Sequence, residues 1–261
     1  MSFRIDHDYH IHSVLSTCSN EPEHSAQNIL QYALDNNLNT LVLTDHYWDN
    51  TVPGASDWYK PQDFAWISQS KPLPQHETCR FLFGCETDMD RFGVIGVPES
   101  RYDDFDFIII PTTHLHMNGF TVRGDESTEE RTKLWIDRFD AVLDMDLPFE
   151  KVGIAHLTCS LMHTGHHLEV LAAIPEEEYR RLFTKAAKVG VGIELNFDSL
   201  ALTDADRELT LRPYRIAKEC GCKFYFGSDA HHLKAFEVSK KNFENIIDLL
   251  GLEESDKFVL K

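Results

Sequence analysis

Histidine and carboxylate residues recur where apolar segments of this chain end. The motif DYHIHS places His10 and His12 on one face of a strand, because successive strand side chains alternate. Side chains of the same kinds follow later apolar segments, namely Asp45 with His46, Glu86, His114, His156, and Asp229 with His231. Mixed imidazole and carboxylate ligands without clustered thiolates favour zinc, iron or manganese. So many ligands exceed the needs of one ion, and the sequence therefore predicts two or three divalent metal ions.

The elements that must position these residues are strands alternating with helices. Seven short segments rich in Val, Ile, Leu or Phe predict strands, at Arg4–Tyr9, Thr40–Thr44, Arg80–Cys85, Phe105–Thr112, Val152–Ala155, Gly190–Leu195 and Lys223–Gly227. Helical patterns alternate with them. One covers residues 26–34, one begins at a capping box of Ser127 and Glu130, and two more run from Pro175 to Gly190 and from Ala235 to Gly251. Repeated strand and helix units predict an α/β fold with a parallel sheet that closes, or nearly closes, into a barrel.

In such barrels the chemistry lies at the carboxyl ends of the strands, so the residues that follow each strand are expected to meet at one rim. A single histidine beside apolar residues is more often a hydrogen-bonded core residue than a ligand. Metal-competent side chains at six of seven predicted strand ends are not expected from independent core residues. The set therefore predicts a metal centre.

Composition narrows the function classes. The chain of 261 residues has 25 Lys and Arg against 43 Asp and Glu, and its net charge of −18 disfavours nucleic acid and anionic membranes as partners. No apolar stretch approaches the ~20 residues of a membrane span, and the amino-terminal residues lack a signal-peptide pattern. The six cysteines form no C-x-x-C pair. We therefore expect a soluble, cytoplasmic protein with reduced thiols and a single domain over residues 1–261.

Six motifs give a resemblance to a known family. DYHIHS, LVLTDH, FGCE, THLH, IAH and FGSDAHH occur in the order and approximate spacing of the motifs of the PHP (polymerase and histidinol phosphatase) phosphoesterases, from Asp8 to His232. The resemblance implies a distorted (β/α)7 TIM-like barrel, a trinuclear metal site and hydrolysis of phosphate esters. It implies three ligand sets: His10, His12, Glu86 and Asp229; Glu86 as a bridge to His114 and His156; and His46 with His231. Glu86, Asp229 and His231 are the predicted catalytic residues.

Two ligand positions have alternatives. Cys18 stands where the family usually has Asp or His in the third site. A thiolate ligates zinc well but suits manganese poorly, and a packing role for Cys18 is the alternative. His116 competes with His114 in THLHMNG, and we predict His114 because it is nearer to the strand.

Four other polar residues are candidates for supporting roles. Asp8 and Asp45 could accept hydrogen bonds that fix imidazole tautomers, with loop capping as the alternative. Arg123 is a candidate phosphate clamp, and an exposed loop arginine is the alternative. Asn196, after the sixth predicted strand, is a candidate to hydrogen-bond either substrate or backbone.

The predicted function is hydrolysis of a phosphate ester by a metal-activated hydroxide. A small phosphomonoester is favoured over a phosphodiester or nucleotide, and histidinol phosphate is one possibility that the resemblance implies. An amidohydrolase is an alternative, although its common bridging Lys is missing from the third, fourth and fifth strand ends. A non-catalytic metal-binding PHP module is a further alternative, and the near-complete ligand set argues against it.

Overall fold

A seven-stranded parallel sheet forms the centre of the protein. The computed structural model describes residues 2–19, 21–196 and 204–260. The strands are β1 (His7–Ile11), β2 (Thr40–Leu43), β3 (Arg80–Glu86), β4 (Phe107–Pro111), β5 (Val152–Ala155), β6 (Gly192–Leu195) and β7 (Lys223–Phe226). Strands adjacent in sequence are adjacent in the sheet, and Ile11 forms a parallel bridge with Ala230 beyond β7. The predicted α/β class and single-domain (β/α)7 TIM-like barrel are confirmed.

Helices follow most of the strands. They are α1 (Ala26–Asp35), α2 (Phe64–Ile67), α3 (Thr128–Leu143), α4 (His167–Ala173), α5 (Glu176–Val189), α6 (Asp204–Glu219) and α7 (Ala235–Leu250). The predicted capping box is present: the Glu130 amide donates to Ser127 Oγ (3.2 Å), and the Ser127 amide donates to Glu130 Oε2 (2.8 Å). In the described ranges, no helix combines the length and the apolar character that a membrane crossing requires.

The structure corrects the predicted elements in two respects. First, β1 begins at His7 rather than Arg4, because residues from His7 onward pair with β2 and are all buried. His10 therefore lies within β1, and only His12 follows it. Second, α2, α4 and α6 were not predicted. α6 contains Pro213, which disfavours a helix, yet the helix packs on α4 and α5 with Leu211 and Tyr214 fully buried.

The carboxyl-terminal segment closes the barrel at the end opposite to the rim. Phe258 and Leu260 pack in one cluster with six side chains from five strands. These side chains are Tyr9 of β1, Val42 of β2, Phe107 and Ile109 of β4, Ala155 of β5 and Tyr225 of β7. Side chains from so many strands can meet only inside the barrel. The Phe258 amide donates to the carbonyl of Phe224 (2.7 Å), near the start of β7.

Phe258→Ala is expected to lower the free energy of unfolding by about 3–5 kcal/mol, since it would leave a cavity in the barrel interior. Val259→Ala is the matched control, because that side chain is 61% exposed and its loss should change stability by about 0.5 kcal/mol or less. Urea unfolding of the two variants at equal metal content measures the difference. Equal stabilities would show that the interior does not depend on Phe258.

Candidate metal centre

The carboxyl ends of the strands bring the predicted ligands together at one rim. Among the described residues, four groups have ligand atoms within 4.8 Å of one another, and three of them consist of predicted ligands: His10, His12, Glu86 and Asp229; Glu86, His114 and His156; and His12, His46 and His231. These match the sets that the family resemblance implies, except that His12 joins the third group. Their role as metal ligands stays a prediction, while their convergence is a property of the fold.

Two residues of the rim have left-handed backbone conformations that non-glycine residues rarely adopt. The φ angles are 60° at His156, directly after β5, and 52° at Asp229, beyond β7. Such conformations cost on the order of 1–3 kcal/mol each and persist only where surrounding contacts impose them. The His156 amide donates to Glu194 Oε2 (3.0 Å), and the Asp229 amide donates to the carbonyl of His10 (2.8 Å). These bonds turn both side chains toward the rim.

Neighbouring acceptors fix the tautomers of the first two histidines. His10 Nδ1 lies 2.5 Å from Glu194 Oε1, so it carries the proton and donates it. His12 Nδ1 lies 2.9 Å from Ser16 Oγ, which itself donates to Asp45 Oδ1 (2.7 Å) and therefore accepts from His12. In the neutral tautomers that metal ligation requires, the two Nε2 atoms are acceptors only 3.1 Å apart. Two lone pairs aimed at one another in a buried position call for a cation between them.

Glu86 provides a test of whether a cation fits. Both of its carboxylate oxygens are buried, and neither has a hydrogen-bond partner within the described part of the chain. Imidazole nitrogens lie nearby, with His46 Nδ1 at 3.0 Å and His12 Nε2 at 3.2 Å from Oε2, and His156 Nε2 at 3.6 Å from Oε1. A buried carboxylate without a donor is strongly unfavourable unless a positive charge compensates it. The residues therefore fit divalent metal ions.

The charges of the rim are set by mutual proximity. Although burial opposes ionisation, His46 and His10 hold the pKa of Glu86 well below its usual range. Burial likewise opposes charge on His10, yet Glu194 and Glu86 raise its pKa well above the usual value. Burial lowers the pKa of His46 well below that value and the pKa of His231 to about 4. At neutral pH the carboxylate is ionised and His46 and His231 keep free lone pairs, as metal ligation requires.

Glu194 and Asp88 were not among the residues predicted from the sequence. Glu194 is 1% exposed, bonds both His10 and His156, and forms a possible ligand group with them. A Cβ at Gly227 would lie 2.1 Å from Glu194 Oε1, so that glycine leaves room for the carboxylate. Asp88 Oδ1 lies 3.0 Å from His114 Nδ1 and fixes that ring. The feature of the sequence that could have identified Glu194 is a carboxylate within the short apolar segment that forms β6.

Two ligand positions had alternatives, Cys18 as a ligand or a packing residue and His114 or His116 as a ligand. Cys18 is exposed and borders the cavity above the rim, but it joins none of the ligand groups found among the described residues. Desolvation of its thiol, together with Glu86 and Asp229, raises its pKa to about 12. His114 lies with Glu86 and His156, whereas His116 is exposed and borders the cavity 5.4 Å from the His114 ring.

The residues predicted for support or substrate contact also have defined positions. Asp45 acts on His12 through Ser16, and Asp8 Oδ1 accepts from the amides of His10 and Ser228 rather than from an imidazole. Arg123 does not border the cavity; its side chain is 59% exposed and pairs with Asp125 and Glu130. Asn196 Nδ2 donates to the carbonyl of Gly227 (2.8 Å), which is the backbone alternative.

Comparison with known proteins gives a structural relative but no sequence relative. No family model and no curated protein match the chain. Among solved structures, the histidinol phosphate phosphatase of Lactococcus lactis subsp. lactis Il1403, complexed with zinc, L-histidinol and phosphate, is similar with a TM-score of 0.62. The two chains are 17% identical over 95% of this chain and 94% of that one. At this identity the similarity establishes a shared fold.

Glu86→Gln is expected to remove at least one zinc ion per chain, because the substitution neutralises a carboxylate that two ligand groups share. Glu194→Gln should retain more zinc but bind it about 10–100-fold more weakly, since it weakens the bond that orients His10. Glu150→Gln, at an exposed position away from the rim, is the control. Zinc titration monitored by elemental analysis gives the order, and equal zinc content in all three variants would contradict it.

Proposed function

We propose that this protein is a metal-dependent phosphatase that hydrolyses a small phosphomonoester. The buried, unpartnered carboxylate of Glu86, faced by imidazoles from three other strand ends, is the observation that carries the proposal. The fold shared with a histidinol phosphate phosphatase supports it. Histidinol phosphate is accordingly one candidate substrate, and the motif resemblance to PHP phosphoesterases points to the same class of reaction.

In this proposal two or three divalent ions, zinc, iron or manganese, are held by the convergent side chains. His10, His12, Glu86 and Asp229 would hold one ion; Glu86, His114 and His156 a second; and His12, His46 and His231 a third. When bound, such ions stabilise charge on phosphoryl oxygens and lower the pKa of water toward about 7. Zinc is the ion present in the structurally similar phosphatase.

The chain's own residues would orient and balance this centre. The Nδ1–H groups of His10 and His114 donate hydrogen bonds to Glu194 and Asp88, and that of His12 donates to Ser16, which in turn donates to Asp45. Each Nε2 is thereby left available as a ligand. Asp229 stays ionised, because His10 and His156 lower its pKa despite burial. Together with Glu86 it supplies negative charge that offsets the ions and leaves a net positive rim for the phosphate dianion.

The alternatives have weaker support. Among the described residues that border the cavity at the rim, none is a lysine of the kind that bridges the metals in many amidohydrolases, and Glu86 has the position that two ligand groups share. A binding-only module has no need of a cavity beside its metals, whereas a cavity of about 560 Å³ borders this rim. A phosphodiesterase remains an outcome of the test below. A cytoplasmic location stays a prediction.

Zinc-, manganese- or iron-reconstituted protein is expected to release phosphate from small phosphomonoesters, including histidinol phosphate, and to turn over phosphodiesters at least about tenfold more slowly. Phosphate release across a panel of monoesters, diesters and N-acyl amides, with chelator-treated protein as the blank, measures this. Hydrolysis of amides alone would indicate an amidohydrolase. No turnover with any ion would leave the binding-module alternative.

We expect at least two zinc ions per chain after reconstitution, and the same number in Cys18→Ala, because the thiol lies outside the three ligand groups. Cys18→Asp tests the oxygen ligand that the family usually has and should also keep the ions, since the position is exposed. Elemental analysis of the three proteins decides this. Loss of one ion in Cys18→Ala, restored in Cys18→Asp, would instead identify Cys18 as a ligand.

A further inference from the structure

The cavity above the metal centre has one apolar side. Trp58, Met117 and Phe120 border it and belong to a single hydrophobic cluster with Trp48 and Tyr59. The indole of Trp58 meets the His46 ring edge to face, with centroids 4.8 Å apart, so this side begins at the rim itself. We call Trp58, Met117 and Phe120 the apolar wall. Because Phe120 is only 7% exposed and is packed against Trp48, the wall is formed before any ligand enters.

The basic side chains that border the cavity in the described part of the chain are histidines. Among the described residues that border it, none is Lys or Arg, and residues 197–203, which are not described, contain none in sequence. The nearby arginines below the loop after β4 are buried and bonded to the main chain. Arg131 donates to carbonyls that include that of Met162 (2.8 Å), and Arg138 donates to those of Thr112 (2.9 Å) and Met89 (2.7 Å). Apart from the imidazoles that border the cavity, only metal ions could therefore balance an anionic ligand.

We propose that the apolar wall binds the alcohol portion of the ester and selects monoesters with an apolar or aromatic group and a single anionic group. This inference rests on the proposed function and specifies its substrate class. A ring placed against Trp58 and Phe120 removes apolar surface from water on both sides. A second phosphate or carboxylate in the same place would lose its hydration without gaining a lysine or arginine partner. Bisphosphates and nucleoside polyphosphates are therefore disfavoured.

Non-hydrolysable phosphonates test the wall separately from turnover. In zinc-reconstituted protein, calorimetry is expected to show that benzylphosphonate binds at least about tenfold more tightly than methylphosphonate, which has the same anionic group. Trp58→Ala should reduce this ratio to about threefold or less, while methylphosphonate affinity and zinc content stay unchanged. Phe92→Ala removes an aromatic side chain that is 76% exposed and does not border the cavity, and it should leave the ratio intact.

Charge selectivity is tested with 4-carboxybenzylphosphonate, which adds one anionic group to the same ring. Wild-type protein should bind it about tenfold more weakly than benzylphosphonate, and Asn118→Lys, at an exposed residue that borders the cavity, should narrow the gap. Met117→Ala is the second wall variant if Trp58→Ala binds less zinc, and it should also lower the benzyl to methyl ratio.

The outcomes separate this inference from the proposed function. Equal affinity for benzylphosphonate and methylphosphonate in wild-type protein, or an unchanged ratio in both wall variants, overturns the role of the wall even if phosphomonoesters are hydrolysed. A wall-dependent preference in protein that hydrolyses no phosphate ester supports the ligand preference and refutes the proposed function. Failure of both phosphonates to bind overturns the inference.

Discussion

The structure depends on the buried carboxylate of Glu86 at the end of β3. A negative charge in this position is unfavourable unless positive charge surrounds it, and both oxygens lack a hydrogen-bond donor in the described residues. The barrel answers this constraint by directing imidazoles from neighbouring strand ends toward the same point, with His46 at 3.0 Å and His12 at 3.2 Å. Several lone pairs and a carboxylate around one point make a cluster suited to a divalent cation, and the hydrogen bonds of the rim hold that arrangement.

Strain at the rim is compensated by the rest of the barrel. His156 and Asp229 have left-handed backbone angles. Hydrogen bonds from their backbone amides, to Glu194 and to the His10 carbonyl respectively, maintain these angles. Such conformations persist where a rigid scaffold over-determines them. The apolar interior and the carboxyl-terminal segment with Phe258 provide that scaffold from the opposite end. The barrel therefore places the polar ligand groups at the carboxyl ends of its strands and the apolar Phe258 cluster at the opposite end.

The charge of the chain as a whole is opposite in sign to the charge expected at its metal centre. The chain carries a net charge of −18, yet its cavity is built around a centre that would become positive when metal ions bind. Arginines near the cavity are used to fix loops through main-chain carbonyls, as Arg138 does with Thr112 and Met89. In the proposed function, selectivity for a ligand would then fall to the metal ions for the anionic group and to Trp58 and its neighbours for the remainder.

The sequence by itself determined the barrel and the kinds of residue at its rim, because hydrophobic periodicity and residues at strand ends are local features. His12, His46 and Glu86 could be found in this way, and α6 was missed because Pro213 masked its pattern. Only the tertiary structure decided which side chains share an ion site, that Glu194 holds two of the histidines, and that Arg123 points away to Asp125 and Glu130. These are relations between residues far apart in sequence, such as His10 and Glu194, which are separated by 184 positions, and they depend on strand register and loop packing, which no local pattern encodes.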